Sequence, residues 1–183
     1  MKPLYITAHY DDLEVCAGGT AARYGGTSAV LYPKDDKGTR AEALPAAGIL
    51  GIDMLRWVHT IRDERDIVEA LTIPSFDTII ASSPWDTHPE HQQVASIARQ
   101  VARKNNTNLW FMDHTIPGGY NNGPRPNHFV NIEDVFDTKY DAIEQYKVLT
   151  EHDIKAAMYR DRYYGFLRGV AAAEGFVVDH TIT

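Results

Sequence analysis

The stretch Leu4-Tyr5-Ile6-Thr7-Ala8-His9-Tyr10-Asp11-Asp12-Leu13-Glu14, with Gly18-Gly19-Thr20 close behind, decides how the chain is read. Leu4 to Ala8 is a short apolar run of strand-forming residues, and the small residues after Glu14 mark a turn into a helix. His9, Asp11, Asp12 and Glu14 therefore gather at the C-terminal end of a first strand. In open α/β sheets that end carries the ligand crevice. A plainer reading has Asp11 and Asp12 only capping the following helix through its free N–H groups. One imidazole and three carboxylates within six residues exceed what capping needs.

Outward from this stretch, strand-like and helix-like segments alternate. Ser28 to Tyr32 reads as a second strand ended by Pro33, and Met54 to Val58 as a third. Arg40 to Leu50 is helical in composition despite Pro45, with Gly51 as its natural C-cap. Asp63 to Leu71 places Ile67, Val68 and Leu71 on one helix face. Asp77 to Ser82 reads as a strand, Pro89 to Arg103 as a long helix, and Leu109 to Met112 as a further strand. Such alternation predicts an α/β, Rossmann-like domain over residues 1–183, mainly a parallel sheet with helices on both faces. Ile116 to Phe129, rich in Pro, Gly and Asn, cannot be a regular element. It is either a surface crossing or a loop over the crevice that offers Tyr120 to a substrate. Lys139 to Leu149 and Ile154 to Ala173 read as two helices of a C-terminal part, and Phe176 to Val178 as a final strand.

A second polar cluster, Pro84-Trp85-Asp86-Thr87-His88-Pro89-Glu90-His91, follows the Asp77 to Ser82 strand. Pro89 suits a first helical turn, which places His88 at the N-cap and His91 three residues on, near one face. Two surface histidines at a helix start would be the plainer reading of this cluster alone. Two clusters at the mouths of two predicted parallel strands favour a shared site. His9, Asp12 and His91 supply two nitrogens and a carboxylate, the donor set of a catalytic zinc site with a fourth position for water. Zinc is the expected ion, with iron(II) or another divalent metal the alternative. Asp11 is left as the general base for that water, and His88 as a cation or acid beside the reacting carbonyl. Asp86 or Glu90 could hold a histidine ring in its tautomer, and Glu14 is a further candidate to support the ligands from behind. His114, just after the Leu109 to Met112 strand, is a candidate substrate contact.

These residues resemble the LmbE-like/PIG-L superfamily of zinc-dependent N-acetylglucosaminyl deacetylases. The family's Ala-His-Pro-Asp-Asp-x-Glu stands here as Ala8-His9-Tyr10-Asp11-Asp12-Leu13-Glu14, and its His-Pro-Asp-His as His88-Pro89-Glu90-His91. Gly18-Gly19-Thr20, Arg40 with Glu42-Ala43 and Leu50-Gly51, and Ala173-Glu174-Gly175-Phe176 extend the resemblance over nearly the whole chain. Tyr10 replaces the usual Pro and Glu90 the usual Asp, which leaves the metal ligands intact. Arg40, the candidate substrate contact of this pattern, stands one residue closer to Glu42 than in the family. The resemblance implies the same ligand, base and His88 roles, and hydrolysis of an N-acetyl group on a small sugar or sugar conjugate. The alternatives are the same chemistry on a non-sugar N-acyl metabolite, or a non-catalytic nucleotide- or ligand-binding module. No Gly-x-Gly-x-x-Gly follows the first strand to support the last.

Composition bounds the partners. A formal net charge of −7 and no basic cluster argue against nucleic acid or an anionic membrane as partner. No apolar run approaches spanning length, and no signal-peptide pattern stands at the start, so the expected compartment is the cytoplasm. A single cysteine, Cys16, permits no internal disulfide and reads as a small packing residue. Homo-oligomerisation is left open.

Overall fold

The computed structural model describes residues 1–33, 39–55, 58–61, 63–114 and 123–180. Its elements are β1 (Pro3–Thr7), α1 (Asp12–Tyr24), β2 (Thr27–Val30), α2 (Arg40–Leu50), β3 (Asp53–Met54), α3 (Glu64–Leu71), β4 (Thr78–Ala81), α4 (Pro89–Asn105), β5 (Asn108–Met112), β6 (His128–Asn131), α5 (Phe136–Ile143), α6 (Glu151–Arg168) and β7 (Ala173–His180). The strands form one sheet in the order β3-β2-β1-β4-β5-β7-β6. The first five strands in that order run parallel. β7 joins β5 antiparallel and β6 pairs antiparallel with β7.

Alternation along β1 explains the layers, because successive strand side chains point to opposite faces. Leu4, Ile6 and Ala8 pack with Ile67, Val68 and Leu71 of α3 and with Val94, Ile97 and Val101 of α4. Tyr5 looks the other way, into Leu13 and Ala21 of α1 and Ala43, Ala46 and Leu50 of α2. Helices therefore cover both faces, as the sequence pattern predicts. From β1 the chain first steps outward to β2 and β3, then crosses back to β4 and β5 on the other side. The strand order reverses between β1 and β4, and in such sheets ligands bind outside the C-terminal ends of the strands at that point.

Two local signals set the helices beside this point. Thr39 and Glu42 form a reciprocal capping box at the start of α2, and Gly51 ends it in the left-handed region at φ 68°. Pro89 opens α4 and the His88 side chain caps it. α1 is broken at Ala17 (φ −143°, ψ 17°), so N–H groups of its second half have no partner within the helix. Glu174 takes them: its carboxylate accepts from the Gly19 and Thr20 amides at 2.8 and 2.7 Å and from the Thr20 hydroxyl at 2.6 Å. A side chain at Gly19 would lie 2.7 Å from the Ile132 side chain, just after β6, so that segment packs against the break only because a glycine stands there.

Several boundaries depart from the sequence reading. The third strand is only Asp53–Met54, followed by a 3-10 turn over Val58–Thr60. The helix expected over Lys139 to Leu149 is instead α5, ending at Ile143, after which the chain turns so that the Tyr146 hydroxyl donates to the Tyr10 carbonyl at 2.7 Å. α6 stops at Arg168 because Gly169 adopts φ 72°, and Ala173 belongs to β7. β7 is longer than Phe176 to Val178 because it pairs on both sides. Phe129, placed in the irregular stretch, lies in β6. No helix among the described residues is long and apolar enough to cross a membrane.

Candidate active site

His9 and Asp12 follow β1, and His91 lies in the first turn of α4 beyond β4. The fold brings three of their atoms into a triangle. His9 Nδ1 lies 3.6 Å from Asp12 Oδ2, His91 Nε2 lies 3.3 Å from the same oxygen, and the two ring nitrogens are 3.3 Å apart. A tetrahedral zinc with bonds of about 2.0–2.1 Å places its ligand atoms roughly 3.3–3.4 Å from one another. The three donors therefore already have the spacing such an ion requires. The Ala8 and His9 amides donate to Asp12 Oδ2 at 3.1 and 2.8 Å, which turns the chain back on itself and fixes the carboxylate.

Each of the two rings is oriented by a carboxylate at its other nitrogen. His9 Nε2 lies 2.7 Å from Glu90 Oε2, and His91 Nδ1 lies 2.9 Å from Asp86 Oδ2. A hydrogen on each of these nitrogens turns the lone pairs of His9 Nδ1 and His91 Nε2 into the triangle. Asp86 also accepts the His88 amide at 2.8 Å, so one carboxylate organises the whole second motif. Burial pushes the Asp86 carboxyl up, but the bonds from His91 and the His88 amide outweigh it and hold it at about 2.

Electrostatics at the triangle favour a cation. Burial lowers the affinity of the His91 ring for a proton, yet Asp12 and Asp86 more than reverse this and raise its pKa to about 10. The His9 ring is likewise raised, burial being outweighed by Asp12 and Glu90. Asp12, despite a burial penalty, is held well below the usual carboxylate range by His91 and His9. Protons here occupy the place of positive charge that a metal would take.

The remaining candidates fall into different places. His88 caps α4 by accepting the Glu90 amide at Nδ1 (3.3 Å), so the neutral ring carries its hydrogen on Nε2. Its ring centroid lies 4.9 Å from that of His9 and 5.0 Å from that of His91. Asp11 stands at the N-cap of α1, half-buried, with no side-chain cap bond. The plainer reading of Asp11 as a capping residue therefore finds no support in its geometry. Glu14 is buried and meets Tyr146 rather than a ligand ring; burial raises its carboxyl to about 8. Arg40 is exposed at the first residue of α2. Tyr120 lies outside the described residues. His114, at the end of β5, packs its ring 4.6 Å from that of His91.

Glu90, a candidate with Asp86 to hold a histidine ring, takes His9 as its partner. It stands at the family's Asp position within the second motif, but its bond to His9 spans 81 positions, which no local pattern reveals.

No family model matches the chain. Solved structures do. A conserved protein from Thermus thermophilus superposes with a TM-score of 0.79 at 23% identity, covering 100% of this chain and 96% of that one. The N,N'-diacetylchitobiose deacetylase from Pyrococcus horikoshii, complexed with an inhibitor, gives 0.73 at 20%, covering 97% and 83%. The 4-carboxy-2-hydroxymuconate hydratase from Pseudomonas putida gives 0.76 at 19%, covering 100% and 98%. The polar clusters that follow β1 and β4 thus stand on a sheet whose fold this chain shares nearly end to end with these three proteins.

Proposed function

We propose that the protein is a zinc-dependent hydrolase that removes an N-acetyl group from an amino sugar or sugar conjugate. The observation that carries this reading is the triangle of His9 Nδ1, Asp12 Oδ2 and His91 Nε2, spaced for a tetrahedral ion and backed by Glu90 and Asp86. A divalent ion held there lowers the pKa of a bound water from about 15.7 toward about 7 and draws charge from a carbonyl oxygen. Asp11, next to ligand Asp12, takes the proton of the attacking water. The water oxygen bonds to the acyl carbon, the C–N bond breaks, and Asp11 returns the proton to the leaving amine. His88 offers its Nε2–H to the carbonyl oxygen as negative charge builds there. The products are the free amine and acetate.

The structural match to a hydratase supports a second reading, in which the same residues direct water to a substrate that is not an amide. A non-sugar N-acyl metabolite is a third. The test loads the protein with zinc, desalts it, and measures metal per chain and acetate release from N-acetylated amino sugars. About one ion per chain with acetate release, both lost in His91→Ala, is the expected result. One ion without acetate release moves the reading to the hydratase-like alternative. No retained metal sinks all the metal-dependent readings and returns the crevice to ligand binding without catalysis.

A further inference from the structure

His114 has no place in the scheme above, yet it is the most conspicuous polar group near the triangle. Its side chain is only 10% exposed, and neither ring nitrogen has a hydrogen-bond partner among the described residues. A buried donor or acceptor left unmet is costly, so native structures rarely leave one without an ion, a water or a chemical role. Ligand atoms of Asp12, His91 and His114 all lie within 4.8 Å of one another. The ring also stands beside Asp86: His114 Nδ1 is 3.9 Å from the oxygen that already orients His91. A hydrogen on Nδ1 facing that carboxylate leaves the lone pair on Nε2, the arrangement His91 itself uses.

We propose that His114 is a fourth protein ligand of the metal, making the centre three imidazoles and one carboxylate rather than two imidazoles and one carboxylate. The fourth donor comes from the mouth of β5, the strand beside β4 on the side away from β1, and water then enters as a fifth donor. Zinc accommodates such an expansion to five donors. The choice of His114 over the other nearby ring follows from partners: His88 Nδ1 already accepts a backbone amide as the cap of α4, whereas both nitrogens of His114 are unmet. This inference rests on the metal-dependent reading above, and its test separates the two.

X-ray absorption at the zinc edge of the fully loaded protein counts imidazoles bound to the metal without reference to activity. Three in the wild type and two in His114→Gln is the expected result. Zinc affinity should also fall by more than the roughly 10- to 100-fold typical of a residue that only orients a ligand. Two imidazoles in the wild type overturn the assignment, whatever the variant does, and leave the metal-dependent hydrolase standing. A wild type that binds no zinc overturns that hydrolase and this inference together. The wild-type count stands by itself if the variant fails to fold.

Discussion

The buried charges around Lys139 and those around His91 are made of similar groups and are completed differently. Lys139, fully buried, pairs with Asp161 at 2.5 Å and Glu174 at 2.8 Å. Asp161 also accepts from Tyr140 and Arg160, while Arg160 donates to the carbonyls of Val15 and Asp113. Each charge in that network meets an opposite charge or a backbone partner, and it ties α5, α6 and β7 to the break in α1. Around His91 the balance is incomplete. Asp12, Asp86 and Glu90 converge on two rings, protons stand in for a cation, and His114 has two unmet nitrogens. A closed network holds a fold together; an open one is poised to take up something else.

Perturbations of the two networks should therefore fail in different ways. The largest effect belongs to Asp11→Asn, which is expected to cut turnover by about 10²–10⁴-fold with zinc stoichiometry unchanged. Full activity in that variant would remove Asp11 from the base role. Lys139→Met should lower stability by about 3–5 kcal/mol in denaturant unfolding, because it strands two buried carboxylates. Zinc affinity of the folded variant should be untouched, and a joint loss of both would erase the distinction between the networks. Asp86→Asn is expected to weaken zinc binding by about 10- to 100-fold, read by competition with a chromophoric chelator, with little change in stability.

The smallest and most diagnostic effect is the pH response of the metal-free protein. His91 is held at about 10 against an ordinary 6.5, so the folded state keeps a proton that the unfolded state releases between those values. Its stabilising contribution is complete below the lower value and is lost as pH rises through the upper one. Zinc must displace that proton, so its affinity should climb with pH over the same window. Calorimetric titration near about pH 8 in buffers of different ionisation enthalpy should show proton release. Binding without proton release would mean that His91 is not displaced from its proton by the metal.

Much of this was legible in the sequence where a local signal coincided with the tertiary need. α2 matches its expected span of Arg40 to Leu50 because the Thr39–Glu42 box and Gly51 mark both ends. α4 begins where Pro89 says it should. Polarity crowded at two strand ends gave the three donors. What was hidden depends on distant partners. β6 begins inside the stretch of turn-forming residues that ends at Phe129, and its partner β7 lies some 45 positions on. The early end of α5 reflects where Tyr146 must reach. The unmet nitrogens of His114 are a property of the assembled fold, invisible to spacing along the chain.

The broken helix α1 has a consequence for folding. Its second half depends on a carboxylate 155 positions away. Bringing together chain segments so far apart carries a large closure entropy, and contacts of that range slow folding. The helix that follows the His9–Asp12 motif is thus completed by the far strand β7, which ties the geometry of the triangle at its start to that distant contact.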